Sequence, residues 1–132
     1  MDTSRLAGVP VFAGLPEEEL AAIAATASEV EAGEGETIAT EGEFGHAMFA
    51  IESGTAEVMQ DGKPPRPLEA GDVFGEIAAI ASGRRTASVV ATSPMRLIAL
   101  FKRDLWALER DAPQATERLR ALIDERRAAA EA

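Results

Sequence analysis

The sequence contains no cysteine, one histidine and few aromatic residues. The absence of cysteine excludes disulfides and thiolate chemistry, although it does not identify a cellular compartment. The lone histidine, His46, cannot form a metal site by itself, and a metal-dependent oxygenase or isomerase needs clustered histidines and carboxylates. We therefore expect no metal site, no catalytic residue and no enzymatic activity.

Long apolar runs are absent as well. No segment approaches the ~20 apolar residues that are needed to cross a bilayer. The N-terminus also lacks the continuous apolar region of a signal peptide. We therefore expect a cytoplasmic protein that does not associate with membranes.

Basic residues are in the minority, with 13 lysines and arginines against 23 acids and a net charge of −10. A field of that sign repels polyanions, so we expect no binding of nucleic acid by this chain alone. It also opposes a phosphate-bearing ligand at long range, but screening over about 8 Å at physiological salt limits the penalty. An anionic ligand must therefore be attracted by local donors.

The pattern of apolar residues divides the chain into three zones within one expected domain, 1–132. Residues 1–28 are predicted to be helical, because Pro16 and three acids begin a segment with apolar residues at helical spacing. Residues 102–132 return to helical periodicity, and Pro113 begins a second helix there. Helices are therefore expected before and after a middle zone that lacks this helical periodicity.

The middle zone, 29–101, consists of short apolar segments separated by glycine-rich turns. Met48–Ile51 and Thr55–Met59 flank a Ser-Gly pair and predict a β-hairpin. One helical segment, at about 76–82, interrupts the strands. The three zones together predict an α+β, mainly β fold: an antiparallel β-roll or jelly roll of about eight strands, with an N-terminal helix, the short internal helix and two C-terminal helices.

The segment 74–87 combines residue types that suit a phosphate-bearing ligand. It reads Phe-Gly-Glu-Ile-Ala-Ala-Ile-Ala-Ser-Gly-Arg-Arg-Thr-Ala. The amides of a helix start attract an anion, and the arginine nine places after the carboxylate can close over it. Gly75 lacks the Cβ that would block the approach, and Glu76 can accept a hydrogen bond from a sugar hydroxyl. The segment therefore indicates a site for a small ligand with hydroxyls and a phosphate.

This segment resembles the phosphate-binding cassette of the cyclic nucleotide-binding domain family. The match lies in Phe74–Ala78 and Arg85–Ala87, with the family's spacing between glutamate and arginine. The order of the three zones also resembles the family over nearly the whole chain. Within Glu41–Ile51, which is similar to the family's turn into a central strand, His46 stands where an aspartate is common. Because that position lies at a turn rather than at a ligand contact, the expectation of binding is unchanged.

The resemblance implies roles for the matched residues of the cassette. Glu76 would accept the ribose 2′-hydroxyl. Arg85, rather than its neighbour Arg84, aligns with the family's phosphate-binding arginine, and its guanidinium suits two phosphate oxygens. Thr86 would contact the phosphate or a guanine amino group, or would simply open a strand, so it leaves the base undecided. The implied cassette contacts are Gly75, Glu76, Ile77, Ala78, Arg85 and Thr86.

Two more residues become candidates outside the cassette. Val58 either packs in the core or, as the resemblance implies, lies against the purine face, and the two roles are compatible. Arg126 falls on the apolar stripe of the last helix, four places after Leu122. It is either a surface arginine whose stem covers apolar residues or a lid residue that stacks on the purine, as in similar domains of prokaryotic potassium channels.

The resemblance implies a non-catalytic regulatory or sensor module. It would bind cyclic AMP, or cyclic GMP, as a regulatory ligand and transmit occupancy to an effector protein or effector domain through movement of the 102–132 helices. The alternative is a ligand-silent protein-interaction domain that retains the same fold. An exposed face of the 102–132 helices would also allow a homodimer. The sequence leaves open whether the module stands alone or belongs to a larger protein.

Overall fold

The computed structural model describes residues 1–76, 79–80 and 83–131. Within these residues the chain forms helices, then strands, then helices again, as the three zones of the sequence predicted. The elements in order are α1 (Thr3–Ala7), a 3-10 helix (Pro10–Phe12), α2 (Glu17–Thr26), β1 (Ser28–Ala32), β2 (Thr37–Ala39), β3 (Ala47–Ser53), β4 (Ala56–Met59), β5 (Arg66–Leu68), β6 (Val73–Phe74), β7 (Ser88–Ala91), β8 (Met95–Phe101), α3 (Lys102–Asp111) and α4 (Pro113–Glu131).

The strands of the described residues form two antiparallel four-stranded sheets. The first sheet has the order β1-β8-β3-β6, and the second has the order β2-β7-β4-β5. Apart from β4 and β5, neighbouring strands are not consecutive in sequence, which is typical of a jelly roll rather than a meander. The predicted antiparallel β-roll with about eight strands is confirmed.

The first sheet is covered on both faces, and its central strands β3 and β8 therefore read as nearly continuous apolar runs. In β8, Ile98 and Leu100 pack among the helices, whereas Met95 and Leu97 pack against the second sheet. This alternation follows from the two-residue period of a strand. Two apolar clusters result, one between the first sheet and the helices and one between the sheets, and β3 and β8 contribute to both.

The predicted hairpin between Met48–Ile51 and Thr55–Met59 is wrong. The two segments do form strands β3 and β4, but β3 pairs with β6 and β8 in the first sheet, and β4 pairs with β5 and β7 in the second. At Gly54, with φ of +92°, the chain turns from one sheet to the other. A side chain at Gly54 would collide with the Pro94 carbonyl of the neighbouring corner. The Ser-Gly turn between β3 and β4 therefore connects the two sheets instead of two paired strands.

The C-terminal helices α3 and α4 confirm the predicted helical pair, and α4 begins at the predicted proline. Ala115, Leu119 and Ile123 form the buried side of α4. A carboxylate of α2 holds the start of α4: Glu19 Oε1 accepts hydrogen bonds from the backbone N–H groups of Gln114 and Ala115, at 3.0 and 3.1 Å. This contact attaches the start of α4 to α2.

The short helix expected at 76–82 lies partly outside the described residues, because 77, 78, 81 and 82 are not among them. One helical hydrogen bond is described, from the Ala79 N–H to the Gly75 carbonyl at 3.1 Å. In the described part of the chain, no helix combines the length and the apolar character that crossing a bilayer requires.

Candidate ligand-binding site

Gly75 is the point around which the candidate site is arranged. It follows β6, whose Phe74 lies opposite Phe49 of β3, and its φ is +82°. That region of φ is strained for any residue with a Cβ. An added Cβ would also strike the Arg85 guanidinium and lie 3.1 Å from the Ala47 carbonyl oxygen. Glycine is therefore required here for both conformation and space.

Arg85 is half-buried beside Gly75. Its backbone is fixed to the turn before β3, since its N–H donates to the Glu43 carbonyl at 2.7 Å and its carbonyl accepts from the Gly42 N–H at 2.9 Å. Its side-chain Nη1 donates to the Gly75 carbonyl at 3.2 Å. The guanidinium carbon lies 5.7 Å from the centre of the Phe49 ring. These contacts within the protein hold the guanidinium in place.

Desolvation dominates the electrostatics of Arg85. Burial lowers the pKa of the guanidinium from its ordinary value, and the nearby Glu76 carboxylate partly offsets that shift. Arginine remains charged in proteins because its ordinary pKa is so high. The site therefore contains a cation that has lost part of its water, which strengthens its attraction for an anion.

Glu76 is 1% exposed. Its Oε1 accepts a hydrogen bond from Arg126 Nη1 of α4 at 2.5 Å. Its Oε2 is buried and has no hydrogen-bond partner among the described residues. An unsatisfied buried acceptor costs about 1–3 kcal/mol, so this oxygen favours a donor from a ligand. The site presents a carboxylate acceptor beside a cation, which complements a ligand with hydroxyl donors and a phosphate.

The two adjacent arginines occupy different environments. Arg84 is exposed, lies over the Phe44 ring at 4.3 Å and donates to the Gly42 carbonyl at 2.9 Å. Arg85 points toward Gly75 and Glu76 instead. The structure therefore brings Arg85 into the candidate site and leaves Arg84 at the surface, in the arrangement that the alignment of the sequence predicted.

The remaining predicted residues fall in several places. Thr86 is exposed and precedes β7, so it does not open that strand. Val58 is buried between the two sheets, as core packing requires, and its contact with a purine stays a prediction. Ile77 and Ala78 lie outside the described residues. Arg126 reaches the site through Glu76, while its stacking on a purine stays a prediction.

The sequence analysis missed Phe49 and Glu19. The Phe49 ring stacks on Phe74, with centroids 5.2 Å apart, and supports the Arg85 guanidinium. The pairing of β3 with β6 brings these rings together, and a sequence pattern does not reveal that register. Glu19 resembles any other acid in a helical first turn, although it is buried and caps α4. Among the described residues, no group of three or more histidine, aspartate or glutamate side chains is arranged to hold a metal ion.

The chain is similar in sequence to known proteins. A family model described as the cyclic nucleotide-binding domain matches residues 29–111. The chain is 32% identical over 124 residues to the cyclic AMP receptor protein of Thermus thermophilus, and the match covers 90% of this chain and 57% of that protein. It is 33% identical over 100 residues to the cAMP-dependent protein kinase regulatory subunit of Yarrowia lipolytica, covering 76% of this chain and 24% of the relative.

The fold has a counterpart among solved structures. The crystal structure of the Thermus thermophilus catabolite activator protein superposes with a TM-score of 0.80 at 31% identity. The superposition covers 92% of this chain and 60% of the other. The chain therefore spans less than two thirds of the length of these relatives.

Proposed function

Because the chain belongs to the cyclic nucleotide-binding domain family, we propose that it is a regulatory module that binds cyclic AMP and passes its occupancy to an effector. We propose cyclic AMP rather than cyclic GMP because the relatives include a cyclic AMP receptor protein and a cAMP-dependent protein kinase regulatory subunit. The role is regulatory rather than catalytic. The β-roll, 29–101, binds the ligand, and the helices of 1–28 and 102–132 carry the output.

One observation carries this proposal: Arg85 and Glu76 lie near each other beside Gly75, with Arg85 half-buried and Glu76 buried. Arg85 binds the cyclic phosphate, because a guanidinium presents two donors to two oxygens. Glu76 accepts the ribose 2′-hydroxyl through its unpartnered Oε2. The absence of a side chain at Gly75 leaves the space that the Arg85 guanidinium occupies. Thr86 adds a hydroxyl at the exposed edge, and Val58 supports the purine.

The output depends on the helices that pack beside the site. Ala79 and Ile80, which follow Glu76, pack in the cluster between the first sheet and the helices. The same cluster includes Leu105 and Leu108 of α3 and Leu119 of α4. A shift of the cassette toward a bound phosphate therefore changes the packing against the C-terminal helices. An effector protein, or an effector domain beyond this module, detects the position of those helices.

The proposal is tested by calorimetric titration of the full chain with cyclic AMP and with cyclic GMP. We expect cyclic AMP to bind more tightly. Replacing Arg85 with alanine should weaken that binding by about 30-fold to several thousand-fold, because a buried charge partner of the phosphate is lost. The matched control is Arg84→Ala, which removes a neighbouring surface guanidinium and should change affinity by about threefold or less.

Two results would contradict this proposal. If neither nucleotide binds the folded wild-type chain, the module is the ligand-silent interaction domain that the sequence left as the alternative. If Arg84→Ala weakens binding as much as Arg85→Ala, the phosphate is held elsewhere. Circular dichroism of each variant separates loss of binding from loss of fold.

A further inference from the structure

Two aromatic side chains of this acidic protein face solvent. Trp106 of α3 is 83% exposed, and Phe44, in the turn before β3, is 62% exposed. A single exposed aromatic needs no explanation, but aromatic residues and arginine together are the types that are enriched at protein interfaces. Both residues have cations as neighbours, although acids outnumber bases by 23 to 13 in the whole chain. The surface that they share is therefore a candidate for binding a partner.

The backbone brings Phe44 and the start of α3 to the same part of the surface. The Arg84 guanidinium lies over the Phe44 ring at 4.3 Å from its centre. The Lys102 N–H donates to the His46 carbonyl at 2.8 Å, two residues after Phe44. The Lys102 ammonium group lies 3.9 Å from the position that a Cβ would take at Gly83, the residue before Arg84. The first cation of α3 is thus close to the segment that carries Arg84.

Cations also adjoin Trp106 on its own helix. Residues three and four places apart are neighbours on a helix surface, and Arg103 and Lys102 hold these positions before Trp106. Both are exposed. The Arg103 guanidinium lies 5.2 Å from the centre of the Phe101 ring, and its Nε is 3.8 Å from Asp104 Oδ2. We define the basic-aromatic patch as Phe44, Arg84, Lys102, Arg103 and Trp106.

The positive charge of α3 is concentrated at its start. After Trp106, the charged side chains form ion pairs, Arg110 with Asp111 and Glu109 with Arg120. The start of a helix is the positive end of its dipole, which disfavours the cations Lys102 and Arg103 there. A carboxylate bound beside them would offset this repulsion. The position of these cations therefore favours an acidic partner.

We propose that the basic-aromatic patch docks an acidic segment of a partner protein. Carboxylates of the segment pair with Arg84, Lys102 and Arg103, and an apolar side chain of the segment packs on Trp106. Phe44 and Phe101 hold the two stacked guanidiniums in place, so less side-chain entropy is lost when the segment binds. This inference goes beyond the proposed function and does not depend on nucleotide binding.

The net charge of −10 favours a short segment over a larger polyanion. At physiological salt, charges more than about 8 Å apart are largely screened, so a segment confined to the patch is little affected by the other acids. A nucleic acid or an anionic bilayer extends beyond the patch and meets the acidic remainder of the surface. Two acids adjoin the patch itself, Glu43, which is exposed, and Asp104, which is half-buried. We therefore expect moderate affinity, with a Kd of about 10–100 μM.

Trp106 is the only tryptophan in the sequence, so its fluorescence reports directly on the patch. The probe is a short peptide of glutamate, aspartate and phenylalanine with both ends capped, titrated into the full chain. We expect a blue shift of the emission as the peptide covers Trp106. Raising the salt from about 50 to about 300 mM should weaken binding by about tenfold, because the ion pairs are screened. The same peptide with glutamine and asparagine in place of the acids is the control and should give no shift.

Charge reversal locates the binding surface. Arg103→Glu should weaken binding of the acidic peptide by about tenfold or more, because a contact cation becomes a repelling acid. The matched control is Arg66→Glu, an exposed arginine of β5 outside the patch, which should change the affinity by about threefold or less. Trp106→Ala, followed by calorimetry because the reporter is lost, should also weaken binding by about tenfold. Circular dichroism checks that each variant is folded.

Three results would overturn the inference. One is an unchanged Trp106 emission with millimolar acidic peptide at low salt. Another is an equal loss of affinity in Arg103→Glu and Arg66→Glu. The third is a shift of the emission by phosphatidylserine vesicles or by a DNA oligonucleotide at a lower charge concentration than by the peptide, since the occupant would then be a membrane or a nucleic acid. Cyclic AMP affinity should stay within about threefold of wild type in Arg103→Glu, so failure here leaves the proposed function intact.

Discussion

The absence of a Cβ at Gly75 matters for two reasons, the backbone conformation and the space beside it. A comparison with a second glycine separates the two. The backbone φ of +82° favours glycine, and the space beside it is occupied by the Arg85 guanidinium. Gly14 shares the first condition, with φ of +76°, but an added Cβ there would meet nothing within 4 Å among the described residues. Both positions therefore have the same backbone conformation, but only a Cβ at Gly75 would clash with a neighbouring side chain.

We expect Gly75→Ala and Gly14→Ala to lose similar amounts of stability from backbone strain, about 1–2 kcal/mol each. Only Gly75→Ala should also lose cyclic AMP affinity, by about tenfold or more, since its Cβ displaces Arg85. Urea denaturation and calorimetric titration give the two quantities. Unchanged nucleotide affinity in Gly75→Ala would show that Arg85 does not need its observed position for binding.

Residue-level inference from the sequence was possible where a local rule applied. The glycine, the carboxylate and the arginine nine places later were identifiable because their spacing is set along the chain. Phe49 was not identifiable as a support for Arg85, since its contact depends on the register of β3 against β6. Arg126 was recognised as a candidate for its position on the apolar stripe, but its partner Glu76 is known only from the packing of α4.

At the scale of elements, the start of α4 depends on a side chain from α2. The first backbone N–H groups of a helix have no partners within the helix. Glu19 Oε1 accepts from two of them, those of Gln114 and Ala115, and the side chain is buried. This cap attaches α4 to the N-terminal helices, so its removal affects the element that the proposed output requires.

We expect Glu19→Ala to lower the free energy of unfolding by about 1–3 kcal/mol, because one buried and one partly buried N–H donor lose a charged acceptor. Glu18→Ala is the matched control: it is exposed in the same helical turn and should cost only about 0.5 kcal/mol through the macrodipole. Chemical denaturation compares the two. Equal losses would show that the cap contributes nothing beyond the favourable charge at the start of α2.

Elements also show where sequence patterns mislead. β3 and β4 were predicted correctly as strands and incorrectly as partners. A short turn between two apolar segments is compatible with a hairpin and with a corner between sheets. The corner is chosen by contacts with a second corner, where the Thr55 N–H donates to Ser93 Oγ and the Thr92 N–H donates to the Thr55 carbonyl, both at 2.9 Å.

At the scale of the whole molecule, acids outnumber bases, so the change of folding stability with pH depends on which carboxylates form ion pairs in the folded state. Arg5 of α1 donates to Glu52 of β3 and to Glu29 of β1, and so attaches the N-terminus to the first sheet. The hydrogen bond from Arg5 holds the pKa of Glu52 below its ordinary value of 4.5, with a smaller contribution from Arg96. The charged form of Glu52 is therefore favoured in the folded state.

A lowered folded-state pKa contributes stability that is present above the unfolded-state value and is lost as the pH falls through the folded value. We expect Glu52→Gln to lower the melting temperature near pH 7 and to lose less stability than the wild type between about pH 5 and pH 3. Glu34→Gln, an exposed turn residue with the same change in charge, should follow the wild type over that range. Parallel curves for Glu52→Gln and the wild type would show that the Arg5 contact does not stabilise the fold.

The sequence by itself determined the order of the helical and strand zones and the family, because periodicity and motif spacing are properties of the local chain. The tertiary structure alone decided that β3 and β4 separate into two sheets, that Phe49 supports Arg85, and that Glu19 and Arg126 attach the two halves of α4. These contacts join residues distant in sequence, and burial and hydrogen bonding select them only after the elements have packed.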